Sequence, residues 1–244
     1  ALSKVPVHLL DTGMWRQAGE AVVKKVRSVW EKISNMKFFY YNVAGMSSED
    51  MINLLKRFYF SEVGRGKEMI FSFDYIKTTS ESNDKNRSEW ELVGNMVQRF
   101  KDCIHRDIKF DGEPVISMLT SVQSNRQGIV NNRRAENIVD DESVFSLSDR
   151  IVQFASHAFI LRKKTEDEME AEPNFGTHKL KCVKYRHLGQ DVNGAVNPVR
   201  MPDGSLQQNY IHLDFNNFHI SEKGDLRDLV RYLGQHPEIE EDGE

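Results

Sequence analysis

Apolar and polar positions along the chain follow two rhythms in turn. Short apolar runs that end abruptly in a polar residue predict strands, and apolar residues three and four apart predict helices. Val5 to Leu10 reads as a buried strand ending at Asp11, and Lys37 to Asn42, dense in aromatic residues, as another. Val22, Val26, Val29, Trp30 and Ile33 recur at helical spacing. Ser48, followed by Glu49 and Asp50, is an expected N-cap for a helix showing Met51, Leu54, Leu55 and Phe58 on one face.

Beyond Gly64 and Gly66, Met69 to Phe73 predicts a strand closed by Asp74. A helix carrying Val93, Met96, Val97, Phe100 and Ile104 follows, then a strand from Val115 to Leu119, a helix from Asp149 to Ser156 and a strand from His157 to Leu161. The polar stretches Thr78 to Arg87 and Asn125 to Ser143 read as loops, and Glu166 to Glu172 as a solvated acidic loop. Lys179 to Tyr185, Asn209 to Phe215 and Asn217 to Ile220 read as strands with Gly, Asn and Pro turns between them, and Glu238 to Glu244 as an acidic tail. Strand and helix in alternation predict an α/β fold with a mostly parallel central sheet flanked by helices, extended by antiparallel C-terminal strands. The expected organisation is one domain over 1–221 and a C-terminal helix with an acidic tail over 222–244.

Composition narrows this picture only a little. The 244 residues are 39% hydrophobic and 29% charged, the balance of a chain able to build a core. A net charge of −4 leaves any nucleic-acid contact to a local basic patch. No apolar run reaches the length of a membrane span. Cys103 and Cys182, far apart and in no metal-ligand spacing, fit reduced thiols in a cytoplasmic protein. The eight histidines show no ligand spacing.

In parallel sheets, ligands sit at the carboxyl ends of strands, and Asp11, Asp74 and the Thr120 to Arg126 stretch all fall there. Asp74 closing an apolar strand suits a carboxylate held beside magnesium, although an Asp at that place is often only a turn residue. Gln123 could read a terminal phosphate or position a water, or be a plain loop amide. Lys184 and Arg186, two apart on a strand, point to one side, where they could meet phosphate oxygens or simply face solvent. Asn125, Arg126, Arg133 and Arg134 form an amide-rich basic stretch suited to nucleic-acid phosphates, or an exposed loop with incidental charge.

The order of five segments says more than any one of them. LLDT, IFSFDYIKTT, PVISMLTSVQSNRQG, LSDRIVQFASHAFILRKKTEDE and HKLKCVKYRHLGQ together resemble the DnaB-like replicative DNA helicases, especially phage-type members, over about Val5 to Ile220. The resemblance implies a RecA-like fold and an ATP-dependent motor that moves on single-stranded DNA as a ring, expected to be a hexamer, with a primase or a helicase loader as possible partners and no membrane. It implies that Asp74 holds magnesium and that Gln123 senses phosphate, with one residue more after Ser121 than the commoner Ser-Gln pattern. It implies further that Lys184 and Arg186 reach the ATP of a neighbouring subunit, and that Asn125, Arg126, Arg133 and Arg134 lie toward DNA. Two departures stand out. The chain carries no G-x-x-x-x-G-K-[ST], and Asp11-Thr12 runs into Gly13 where the family has a catalytic Glu. The expectation is a sequence lacking an N-terminal piece and a stretch between Thr12 and Gly13, rather than a nucleotide-dead homologue. The competing functions are a RecA- or KaiC-like ATPase without unwinding and a scaffold subunit.

Overall fold

The computed structural model describes residues 3–76, 89–122, 149–186, 198–216 and 219–236. The chain divides into two compact units. The first comprises Ala1–Tyr41, Ile160–Lys181 and Asp191–Glu244, and the second Asn42–Phe159 and Cys182–Gln190.

In the first unit the N-terminal segment is helical: α1 (Val7–Asp11), a 3-10 turn (Met14–Arg16), α2 (Glu20–Ser28) and α3 (Trp30–Ser34). The strand expected over Val5 to Leu10 is therefore a helix. Pro6 sits just before its first residue, where a fixed φ and a missing N–H suit a helix start. Lys37 to Asn42 belongs to no strand. β propensity reports a fit to neighbouring strands more than a backbone preference, so an aromatic run alone does not make one.

In the second unit, α4 (Ser48–Phe58) is capped by Ser47, one residue earlier than expected, whose Oγ accepts the Asp50 N–H at 3.1 Å. Met51 and Leu55, four apart, turn inward, and a wider turn (Tyr59–Val63) ends at Gly64. The Tyr59 hydroxyl donates to Lys67 O and accepts from the Gly66 N–H, both at 3.1 Å. There follow β1 (Met69–Phe73), α5 (Glu89–Asp102), a small hairpin of β2 (Lys109–Phe110) and β3 (Glu113–Pro114), β4 (Ile116–Thr120) and α6 (Asp149–Phe154).

β1 and β4 pair in parallel, Met69 opposite Ile116 and Phe73 opposite Thr120. Phe71 and Phe73 share one face of β1 and pack on buried Phe100 of α5, with ring centroids 5.5 and 5.4 Å apart. Burial of such a side chain stabilises by about 1.5–3 kcal/mol. Met51, Leu55, Tyr59, Val93 and Met96 complete that core. On the opposite face of the pair, Ile70 is 78% and Leu119 64% exposed.

β5 (His157–Lys163), β6 (His178–Tyr185), β9 (Ile211–Asn216) and β10 (His219–Asp225) form a four-stranded sheet in the order β10-β9-β6-β5. β9 pairs antiparallel with both β10 and β6, and β7 (Pro198–Arg200) with β8 (Leu206–Gln208) makes a further antiparallel ribbon. Glu166 to Glu172, expected as a solvated loop, is instead α7 (Glu166–Ala171). Thr165 and Glu168 close its first turn as a capping box. The chain ends its described part in α8 (Leu226–Gln235), capped by Asp225 and Asp228, whose Leu226 and Leu229 pack with Phe175.

The fold is mixed α/β. The expectation of a mostly parallel sheet is corrected among the described residues: one two-stranded sheet is parallel, and the β9–β10, β6–β9, β2–β3 and β7–β8 pairings are antiparallel. Short hairpin connections such as Asp111-Gly112 enforce antiparallel neighbours, whereas a parallel pair needs a crossover like the one through α5. The loops expected over Thr78 to Arg87 and Asn125 to Ser143, and the tail from Glu238, lie outside the described residues.

Candidate functional site

The parallel pair brings two strand ends together. Because Phe73 stands opposite Thr120, the residues that follow, Asp74 and Ser121, leave the sheet side by side. The Thr120 hydroxyl donates to Phe73 O at 2.7 Å, and the Ile76 N–H donates to Ser121 O at 3.0 Å. The Ser121 hydroxyl lies 3.5 Å from Asp74 Oδ1, the far limit of a hydrogen bond. The peptide after Asp74 is cis. Asp74 itself is exposed. The result is an open carboxylate beside a hydroxyl, at the end of two paired strands. Of the expected partners, Gln123, Asn125, Arg126, Arg133 and Arg134 lie outside the described residues.

Lys184 and Arg186 share a side, as their spacing predicts, and both turn to the end of α6. Lys184 Nζ donates to Val152 O, and the Arg186 guanidinium donates to Gln153 O. The Arg186 backbone N–H donates to Ser156 O at 2.7 Å. The last carbonyls of a helix have no partner within it and carry partial negative charge, so two cations are well placed there.

The first unit holds a buried ionic cluster that the pattern of residues does not announce. Arg162 Nη1 and Nη2 hold both oxygens of Glu168 at 2.6 and 2.7 Å. Lys179 Nζ lies 2.7 Å from Glu168 Oε1 and 2.7 Å from Glu172 Oε1. Lys164 Nζ lies 2.9 Å from Glu172 Oε2 and donates to Phe175 O at 2.8 Å. The Tyr210 hydroxyl donates to Glu172 Oε1 at 3.0 Å, and Lys179 Nζ lies 4.4 Å from the Tyr210 ring centroid. His212 is fully buried between the Phe175 and Tyr210 rings, each 4.9 Å away. Its Nδ1 is 3.7 Å from Glu172 Oε2, and neither ring nitrogen has a hydrogen-bond partner among the described residues.

Charge and burial compete throughout this cluster. Burial works to raise the Glu168 carboxyl, but Arg162, Lys179 and the Thr165 N–H outweigh it and hold it down to about 2. Glu172 is likewise held below the usual carboxylate range by Lys179 and Lys164 against burial. Burial lowers the Lys164 ammonium although Glu172 opposes it. Burial, reinforced by Lys164, brings the His212 imidazole down to about 4, so it is neutral near pH 7. Burial and Glu172 push the Tyr210 phenol up. One signal in the sequence pointed here: Thr165-x-x-Glu168 is a capping-box pattern, which marks a helix start rather than a loop.

Among the described residues no group of three or more His, Cys, Asp or Glu side chains could hold a metal ion, and no helix is long and apolar enough to cross a membrane. No protein-family model matches the chain, and a search of curated proteins gave no match.

Proposed function

We propose that this chain is part of an ATP-driven motor that translocates on single-stranded DNA as a ring of subunits, of the DnaB-like replicative helicase kind. The observation that carries the reading is the pairing of β1 with β4. Two parallel strands end together in Asp74 and Ser121, with Gln123 two residues further on, and this is where parallel sheets hold phosphate-bearing ligands.

The donor set fits magnesium of one kind. A single exposed carboxylate beside a hydroxyl suits an ion that keeps waters and shares nucleotide oxygens, and does not suit a metal caged by protein ligands. Bound with ATP, magnesium would neutralise charge on the phosphates. In this reading Asp74 orients the ion, Gln123 reads the terminal phosphate, and Lys184 and Arg186 of a neighbouring subunit meet phosphate oxygens. Asn125, Arg126, Arg133 and Arg134 hold the DNA backbone. A phosphate-cradling loop and a catalytic Glu are assigned to no residue of this chain.

The test is DNA-stimulated ATP hydrolysis by the protein as encoded. Arg186→Ala is expected to slow it by about 1000-fold or more, the scale of an arginine finger. Unchanged hydrolysis would remove the finger assignment, and a wild-type protein that binds no ATP would remove the motor itself. Strand displacement on a forked duplex separates unwinding from hydrolysis without it.

A further inference from the structure

The N-terminal segment differs in charge from everything after it. Residues 1–41 carry seven lysines and arginines against three acids, a net +4, in a chain whose total is −4. The structure leaves this charge at the surface: Lys24, Lys25, Arg27, Lys32 and Lys37 are all exposed, and neither α2 nor α3 buries a residue. The same segment ends in four consecutive aromatic residues, Phe38, Phe39, Tyr40 and Tyr41, that are 81, 53, 80 and 51% exposed. Residues 37–43 form no helix, turn or bend, and Phe38 and Tyr40 are the more exposed pair of the four, as on extended backbone where side chains two apart share one side.

We infer that Lys37–Tyr41, with the basic face of α2 and α3, is a stacking site for single-stranded nucleic acid. Aromatic rings set among cations are what non-specific single-strand binders use, because every base has a flat face and every nucleotide a phosphate. The spacing fits. Side chains two apart on extended backbone stand about 6.7 Å apart. Stacked bases are separated by about 3.4 Å, so one base fits between the two rings. A lipid surface is the poorer match, since rings that alternate sides cannot all enter one plane. The inference rests on the reading above for the class of polymer, but it needs no ATP.

The experiment uses fluorescein-labelled (dT)20 and the intact protein without ATP, read by fluorescence anisotropy at low and high salt. Wild type is expected to bind, with affinity that falls as salt rises. Phe38→Ala/Tyr40→Ala should weaken binding at least tenfold. Phe38→Leu/Tyr40→Leu, which keeps apolar bulk but loses the flat faces, should weaken it to a similar degree. Lys24→Gln/Lys25→Gln should flatten the salt dependence. Ring variants that bind like wild type, or a wild type that binds no oligonucleotide, overturn the inference. So does loss of binding to phosphatidylserine vesicles in the ring variants while (dT)20 binding stays intact. Failure of the motor reading appears elsewhere, as absent ATP binding or hydrolysis with (dT)20 binding unaffected.

Discussion

The two units hold themselves together by different means. The second is organised by apolar contact: Phe71, Phe73 and Phe100 meet ring against ring, with Met51, Leu55, Tyr59, Val93 and Met96 around them. The first has a small apolar cluster around Phe175, Leu226 and Leu229, and beside it a set of buried charges in which three cations face two carboxylates. Apolar packing is tolerant, because a similar volume restores most of the contact. A buried ionic set is not, because removing one member leaves the others desolvated and uncompensated. The lesson is that the sensitivity of a buried position here depends on which unit it belongs to.

Substitutions that place leucine in each interior test this most directly. Glu172→Leu takes the acceptor away from Lys164, Lys179 and Tyr210 together. It is expected to cost about 3–5 kcal/mol, the range for breaking a buried pair. The measurement is urea unfolding with amide exchange read at β9, and exchange at wild-type rates would refute the role given to the cluster.

Next in size is the response to acid. His212 is lowered to about 4 from 6.5, so the unfolded chain binds its proton first as pH falls, and stability present above pH 6.5 is lost on the way to pH 4. Glu168, lowered to about 2 from 4.5, gives stability that is present above pH 4.5 and lost as pH falls toward 2. Each contributes at most about 3 kcal/mol. The β9 amides should therefore lose protection in two steps, while amides of α5 hold theirs through the first. His212→Phe should abolish the upper step and keep the lower one. A variant that retains the upper step would show that another group causes it.

The smallest effect is expected in the second unit. Phe100→Leu keeps an apolar side chain in its core and should cost about 1.5 kcal/mol or less, read by the same unfolding measurement. A loss as large as that of Glu172→Leu would erase the contrast between the units.

What the sequence made legible follows the same division. β1, β4, α4 and α5 were readable because five-residue apolar runs and three-to-four spacing each need only one buried face, and local order fixes that face. The ends of β1 and β4 are readable for the same reason, so Asp74 and the Thr120 to Arg126 stretch fall at strand ends on the sequence alone. Val5 to Leu10 misled, since an apolar run that short fits either period and Pro6 decides for the helix. Lys37 to Asn42 misled because a strand depends on its neighbours. The acidic stretch at 166–172 misled most. Its charges read as solvated because Arg162, Lys164 and Lys179, although close by in sequence, show only in the folded chain that they turn toward these carboxylates.

The clasp of Lys184 and Arg186 on α6 has a mechanical corollary. That helix is six residues long, and its carbonyls at Val152 and Gln153 are closed by these two side chains, while Lys101 Nζ donates to the last one, Phe154 O, at 3.0 Å. An anion able to attract both cations must compete with those carbonyls, and in winning it returns them to water. The end of α6 is then expected to fray, so that occupancy by phosphate is translated into a loosened helix terminus with no hinge required.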